Sequence, residues 1–208
     1  FEHEIVITTD VAIIGVGDVI LDANGQKMRL FWVESNASLE LVDLTLQNGD
    51  RNVSEGGPTA YRGGAIYNAG TLKVTGSALS NNKALDGGAI SNGFTGTLEV
   101  RDSIFSANLA NNATAIRNVG TMTIVASDFV DHPRNVIGNV GPATIIASTF
   151  SNNRGASFGG AIFNTDTLVV TASAFTGNRA DQGGAIYNGV QGKATITAST
   201  FSDNEAGL

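Results

Sequence analysis

The chain has 208 residues, of which 26 are glycine and none is cysteine, and it carries a formal net charge of -7 at pH 7. Hydrophobic residues make up 42%, which excludes wholesale disorder, and the lack of cysteine excludes disulfide frameworks and cysteine-ligated metal sites. The acidic balance argues against nucleic acid as a partner, and no apolar run approaches the ~18 residues of a membrane-spanning segment.

Residues 1–48 are predicted to form irregular coils of β structure, because short apolar runs alternate there with polar turns. Residues 1–50 hold nine acids and two bases, whereas residues 51–208 hold ten of each, so the first segment presents a different surface. The stretch 49–62 is rich in Gly, Asn and Ser and is the longest gap between predicted strands. We expect it to protrude as a loop.

Residues 63–208 contain a regular repeat. The string Gly-Gly-Ala-Ile-x-Asn occurs at 63–68, 87–92, 159–164 and 183–188, with degenerate copies at 113–118 and 134–139. The isoleucines of these six copies follow one another at intervals of 24, 26, 21, 25 and 24 residues, and a series of Leu and Phe residues keeps the same spacing. Repeats of this length are typical of solenoids, in which each repeat packs against its neighbours.

Each repeat contains three short segments of the types Ala-Ile-x-Asn, Thr-Leu-x-Val and Ser-x-Phe. Val, Ile, Thr and Phe favour strands, and the Gly, Asn and Asp residues between the segments favour turns. The pattern predicts an all-β fold, a right-handed parallel β-helix (solenoid) of about eight coils with three short sheets. We expect residues 1–208 to form a single domain. Since no polar cap is visible at 202–207, we also expect the chain to be part of a longer protein.

The last residue of each Gly-Gly-Ala-Ile-x-Asn copy is predicted to stack in a ladder at a bend, with each amide bonding to the next coil. The ladder residues are Asn68, Asn92, Asn118, Asn139, Asn164 and Asn188. Isoleucines and phenylalanines are expected to fill the interior, and the paired glycines are expected to form a tight corner. We interpret all of these residues as scaffold.

The motifs resemble those of a known family. Gly-Gly-Ala-Ile occurs four times, and Phe-x-x-Asn occurs at 105–108, 150–153, 175–178 and 201–204. Together they resemble the repeats of the chlamydial polymorphic outer-membrane proteins and related bacterial β-helix surface proteins, over residues 63–208. The resemblance implies a β-helix, secretion to a cell surface, and an adhesin or passenger role. It brings no catalytic residues with it.

No catalytic, metal-binding or cofactor-binding residues are predicted. A polysaccharide hydrolase or lyase needs acids and bases at matching positions of neighbouring coils, but the carboxylates of 63–208 scatter over different columns. The densest mixed group is Asp-His-Pro-Arg at 131–134, one coil away from Arg117, and ordinary surface charge explains it equally well. The two histidines, His3 and His132, lie far apart in the sequence and do not have the spacing of metal ligands.

A first candidate binding face comprises the outward positions of the Thr-Leu-x-Val segment, which carry no charge on four consecutive coils. Its residues are Thr123, Val125, Thr144, Ile146, Val169, Thr171, Thr195 and Thr197. Uncharged arrays with a repeat of ~4.8 Å occur on ice-binding solenoids and on docking surfaces, while Thr and Val are also common on exposed strands. A plain sheet surface, a partner-docking face and an ice-binding face all stay open.

Two further surfaces are candidates for carbohydrate binding. The outward positions of Ala-Ile-x-Asn form a broken aromatic stripe, whose rings could stack on sugars or cover a neighbouring loop. The stripe comprises Tyr67, Ser91, Arg117, Gly138, Phe163 and Tyr187. The loop at 49–62 supplies a second set of polar and aromatic residues, namely Asp50, Arg51, Glu55, Tyr61 and Arg62.

The leading functional hypothesis is a non-enzymatic extracellular β-helix, an adhesive or stalk segment of a bacterial surface protein. Its expected partner is a protein or glycan on a host or neighbouring cell, and lateral or end-to-end self-association is a second expectation. No cofactor, nucleic acid or membrane span is expected. The alternative is a polysaccharide-binding or polysaccharide-degrading β-helix, and the third hypothesis is an ice-binding solenoid.

Overall fold

The computed structural model describes residues 3–51 and 60–207, and the regular structure within these residues is entirely β-strand. The strands pair in parallel, and each pair joins equivalent positions of successive coils. The predicted parallel β-solenoid is therefore confirmed, while its right hand stays a prediction. In the part of the chain that is described, no helix has the length and apolarity needed to cross a membrane.

Face 1 of the solenoid is a sheet of eight strands in chain order, which bound seven full turns. Its strands are Ile5–Ile7, Phe31–Val33, Ile66–Asn68, Ile90–Asn92, Ile116–Asn118, Ile137–Asn139, Ile162–Asn164 and Ile186–Asn188. Equivalent residues of the repeat lie opposite one another, as Ile90 does with Ile116.

Faces 2 and 3 belong to one 14-stranded sheet, because two long strands, Val11–Asp22 and Ser38–Gln47, run across both faces. Face 2 continues with Thr71–Thr75, Thr97–Arg101, Thr121–Val125, Ala143–Ile146, Thr167–Thr171 and Lys193–Thr197. Face 3 continues with Ala78–Ser80, Ile104–Ser106, Asp128–Val130, Thr149–Ser151, Ala174–Thr176 and Thr200–Ser202. Two short pairs remain, Asp50–Arg51 with Lys83–Ala84 and Arg179–Ala180 with Glu205–Ala206. The solenoid thus has three faces, as predicted, but faces 2 and 3 form one sheet because the long strands near the N-terminal end join them.

The interior is filled by columns of similar side chains. On face 3, adjacent phenylalanine rings stack with their centroids 4.8 Å apart, which matches the spacing of neighbouring strands. The fully buried rings are those of Phe105, Phe129, Phe150 and Phe175. Columns of isoleucine on face 1 and of Leu and Val on face 2 complete one apolar core, which extends from Ile7 to Ala185.

A ladder of asparagines lies at the corner between faces 1 and 2. From Asn68 to Asn188, each amide donates to the Oδ1 atom of the asparagine one coil further along, at 2.7–2.8 Å. Some amides also donate to backbone carbonyls, as Asn92 does to Thr121. Because these side chains are buried along most of the stack, the ladder satisfies polar groups that burial would otherwise leave unpaired.

A second ladder, which the sequence analysis missed, follows face 3. It is built from the last residue of the four Phe-x-x-Asn motifs and of the variant Leu-Ser-Asn-Asn at 79–82, namely Asn82, Asn108, Asn153, Asn178 and Asn204. His132 takes the place of asparagine in one coil, where its Nδ1 atom lies 3.2 Å from the Oδ1 atom of Asn153. Each Phe-x-x-Asn motif therefore places one stacked ring and one stacked amide in its coil.

The paired glycines form the corner that leads into face 1. A Cβ atom added to Gly64, the second glycine of its pair, would lie 2.2 Å from the carbonyl oxygen of Gly88. One added to Gly160 would lie 2.0 Å from the carbonyl oxygen of Gly184. Neighbouring backbones therefore approach one another too closely there for a side chain. In the degenerate copy at 113–118, Ala113 and Thr114 replace the two glycines, and Ala113 keeps the positive φ, 56°, of the first glycine in the regular copies.

Candidate functional site

The structure places the eight residues of the Thr/Val face in two columns on face 2, in register from coil to coil. Thr123, Thr144, Val169 and Thr195 form one column, and Val125, Ile146, Thr171 and Thr197 form the other. All eight side chains are half-buried or exposed, and the hydroxyl oxygens of Thr171 and Thr197 lie 3.2 Å apart. The preceding coil ends the array, because Glu99 and Arg101 occupy the same columns and form an ion pair.

The residues of the loop at 49–62 are not brought together into one site. Asp50 forms an ion pair with Lys27 at 2.7 Å, and Arg51 donates to the backbone carbonyl oxygens of Ala60 and Lys27. These contacts give Arg51 a structural role in holding the ends of the loop. Glu55 lies outside the described residues.

Tyr61 and Arg62 lie at the other end of that loop, where the chain enters face 1. The Arg62 guanidinium lies 5.7 Å from the centroid of the Tyr61 ring, close enough for a cation–π contact. Arg62 also pairs through its backbone with Asp86 of the next coil, and its carbonyl oxygen accepts a hydrogen bond from Arg29. The two ends of the loop are therefore held by different partners.

The residues of the mixed group at 131–134 also do not form one site. His132 is buried in the second ladder, whereas Arg134 is exposed on the surface. Within residues 3–51 and 60–207, no group of three or more His, Asp or Glu side chains is placed to hold a metal ion.

The aromatic stripe on face 1 is buried at its first residue and half-buried at its last two. Tyr67 is buried, because the Trp32 ring packs edge-on against it and the Arg29 guanidinium lies 5.5 Å from its centroid. At the far end of the stripe, the Phe163 and Tyr187 rings stack with centroids 5.7 Å apart. Between these two ends the outward positions are occupied by Ser91, Arg117 and Gly138, which are small or polar.

A groove of about 470 Å³ opens in this middle region, and its origin is a shortened coil. The connection from the second ladder to face 1 has seven residues at 109–115 and eight at 154–161, but only four at 133–136. The short connection leaves a recess between two longer loops. The short connection lies within the interval of 21 residues between Ile116 and Ile137 and accounts for it, so both degenerate copies of the repeat border the groove.

The groove is lined by cationic, amide and aromatic side chains, and none of its lining residues is acidic. Arg117 and Arg134 supply the charge, Asn111, Asn112, Asn135 and Ser157 supply neutral polar groups, and Phe158 and Phe163 supply an apolar wall. The remaining lining residues are Ala113, Gly138 and Ala156. Phe158 is held in place by the Tyr187 ring, whose centroid lies 4.5 Å from its own.

Gly138 keeps the groove open, because the equivalent position in neighbouring coils carries Arg117 or Phe163. A Cβ atom at Gly138 would lie 3.1 Å from the Cβ atom of Ala113 and 3.5 Å from the Cδ atom of Arg117. Any larger side chain would extend into the recess.

Arg117 lies half-buried at the edge of this recess, and burial lowers the pKa of its guanidinium. The carboxylate of Asp86 opposes this effect, and the Arg62 cation adds to it. The Asp86 carboxylate in turn accepts a hydrogen bond of 2.8 Å from the Asn112 amide. Three arginines and one carboxylate thus set the local charge, which is positive although the whole chain is acidic.

Sequence reasoning placed Arg117 one coil away from Arg134, and it placed Arg117, Gly138 and Phe163 in one outward stripe, but it did not combine these two sets into a groove. Phe158 and the asparagines of the groove were missed. The signal that could have found them was the interval of 21 residues, because a deletion within one connection exposes the loops on either side.

These stacked coils define a parallel β-solenoid with internal polar ladders and one irregular segment. The family model of the Chlamydia polymorphic membrane protein repeat matches residues 147–165 and 172–189, which are two consecutive coils. Each match contains one Phe-x-x-Asn and one Gly-Gly-Ala-Ile-x-Asn string, so the resemblance inferred from these motifs is confirmed. The match covers less than half of the chain. No curated protein and no solved structure matches the chain.

Proposed function

We propose that the protein is a non-enzymatic bacterial surface β-helix that acts outside the cell as an adhesive or stalk segment. The observation that carries this proposal is the match of two consecutive coils to a repeat of a membrane protein family, within a solenoid that continues the same coil on both sides. The family suggests a location at the outer membrane or cell surface.

The chemistry of the regular coils supports a structural rather than a catalytic role. The positions that recur from coil to coil are occupied by buried rings and by amides that hydrogen-bond to one another. Such columns build a stiff rod whose outer surface is free to vary from coil to coil. The proposed partner is a protein or glycan on a host or neighbouring cell.

Self-association through the Thr/Val face or through the end of the rod stays a proposal.

The surface location is tested by treating intact cells of the source bacterium with a protease and identifying the released peptides by mass spectrometry. The proposal predicts peptides from residues 60–207 at levels that exceed those of a cytoplasmic marker protein. Release of these peptides only after lysis would contradict the surface location.

The adhesive role is tested by coating beads with the purified chain and counting the beads retained on epithelial cells and on bacterial lawns. Retention above that of albumin-coated beads on at least one surface is expected, and equal retention on all surfaces would leave only a stalk role. Incubation with polygalacturonate and alginate should give no product, and turnover of either polymer would overturn the non-enzymatic assignment.

A further inference from the structure

We propose that the groove between the two degenerate coils binds an acidic saccharide, meaning a sugar unit that carries an anionic group. The inference names a ligand class for the adhesive role proposed above and rests on that role for its biological meaning. The binding site itself is defined by the residues of the groove.

The charge of the groove favours an anion. Arg117 and Arg134 both line it, and none of its lining residues is acidic; the nearby Asp86 carboxylate acts on Arg117, where the Arg62 cation opposes it. Within the described chain, the guanidinium of Arg134 makes no hydrogen bond or ion pair, and that of Arg117 makes one long contact of 3.5 Å to the carbonyl oxygen of Gly138. Planar guanidinium groups with unused donors are well suited to bind a carboxylate or sulfate through paired hydrogen bonds.

The other groups of the groove favour a sugar over a simple anion. Phe158 is 39% exposed and forms, with Phe163, an apolar wall on which the C–H face of a pyranose ring can stack. The amides of Asn111, Asn112 and Asn135 can each donate and accept hydrogen bonds, as recognition of sugar hydroxyls requires. A volume of about 470 Å³ lies in the range of sites for small molecules.

The groove lies where the chain departs from its regular repeat. Regular coils close the corner with paired glycines and cover face 1 with a full-length connection, whereas this coil has a short connection and Gly138 at the outward position. These departures from the repeat cluster around one recess, where they combine cations, amides and an aromatic wall.

The test is a titration of the purified, isotope-labelled protein followed by NMR, with two acidic probes and their neutral counterparts. Trigalacturonate is compared with maltotriose, and 3′-sialyllactose is compared with lactose. We expect at least one acidic probe to shift the amide signals of residues 111–117 and 134–138 saturably, with an affinity at least about tenfold higher than that of its neutral counterpart. The two arms show which kind of acidic sugar the groove prefers.

Variants then assign the binding to the groove. Arg134→Gln, at an exposed position, and Phe158→Ala should each weaken binding by about fivefold or more, and Gly138→Phe should abolish it by filling the recess. Arg101→Gln and Phe94→Ala are the matched controls, since both residues are exposed outside the groove, and they should bind as the parent does. Far-UV circular dichroism checks that each variant keeps its β structure.

Absence of saturable shifts with both acidic probes would overturn the inference, and so would unchanged binding in Arg134→Gln and Phe158→Ala. These outcomes are distinct from failure of the proposed function. If beads adhere to cells but no acidic sugar binds, only the ligand class is wrong. If the sugars bind but beads do not adhere, the adhesive role is wrong.

Discussion

At the scale of single residues, His132 shows how the solenoid accommodates a change in its repeat. It occupies an asparagine position of the second ladder and is 1% exposed, and its Nε2 atom is buried without a hydrogen-bond partner. Burial lowers the pKa of this imidazole to about 4, and the contacts with Asn153 and Asp131 only partly oppose the effect. A neutral ring therefore replaces an amide in the stack.

This burial predicts a pH dependence of stability. The unfolded chain, in which the histidine pKa is near 6.5, takes up a proton more readily than the folded chain, whose pKa is about 4. Above pH 6.5 the imidazole is neutral in both states and does not destabilise the fold. As the pH falls from 6.5 toward 4, protonation of the unfolded chain lowers the free energy of unfolding by about 3 kcal/mol. His132→Asn removes this titration and restores the amide.

Urea denaturation of parent and variant at pH 7 and pH 4 measures the effect, since other groups titrate equally in both proteins. The free energy of unfolding should fall by about 3 kcal/mol more in the parent than in His132→Asn. Parallel losses in the two proteins would contradict the burial of a neutral imidazole.

The first asparagine ladder makes a second prediction at this scale. Asn118 accepts a hydrogen bond from Asn92 and donates one to Asn139, and all three side chains are buried. Asn118→Ala leaves the buried Oδ1 atom of Asn139 without its donor and removes one of the three acceptors of the Asn92 amide, and it should lower the free energy of unfolding by about 3 kcal/mol. Asn188→Ala, at the exposed end of the ladder, is the control and should cost about 1 kcal/mol. Equal costs at the two positions would show that the ladder is not a source of stability.

At the scale of elements, the three faces differ in what their outer surfaces carry. The Thr/Val face is built from β-branched residues, which are stiff at χ1 and which here stack in register. A partner, a second copy of the chain or ice could use such an array, and a plain solvated sheet could carry it as well.

A double substitution separates these alternatives. Val125→Lys with Thr171→Lys should leave the melting temperature nearly unchanged, because both side chains point outward, and should abolish self-association in sedimentation or thermal hysteresis on freezing. The matched control is Val130→Lys with Thr149→Lys, at half-buried positions on face 3, and it should retain either property. If the parent shows neither self-association nor hysteresis, the face is a plain sheet surface.

The regular elements could be predicted from the sequence because one motif encodes one strand in each coil. The Ile, Phe and Asn columns follow from periodicity alone, since in-register stacking brings equivalent residues together. The long strands Val11–Asp22 and Ser38–Gln47 were not foreseen, because no repeat motif marks the N-terminal coils. The second ladder was missed because its asparagines were considered only as part of a family motif.

At the scale of the whole molecule, the chain combines a uniform rod with one irregular segment. The groove could not be predicted from the sequence, because it depends on the lengths of three consecutive connections and on which side chains project between them. Arg117 and Phe163 are two coils apart in the chain, and both line the groove because the coil between them is shortened and carries Gly138 at the equivalent position.

The central claim is that one shortened coil creates a ligand groove in an otherwise regular scaffold. Lengthening its short connection to the regular length tests this claim most directly. Residues 133–136 are replaced by the seven-residue connection 83–89, with Asn in place of Asp86 so that the charge of the connection is unchanged. As a control, the same connection replaces residues 179–185, which already have the regular length.

Binding of trigalacturonate and 3′-sialyllactose is then measured by NMR titration, with far-UV circular dichroism as a check of the fold. The repaired protein should keep its β structure and bind the acidic probe at least about tenfold more weakly than the parent, while the control binds as the parent does. A repaired protein that folds and binds with the affinity of the parent would contradict the assignment of ligand binding to the shortened coil.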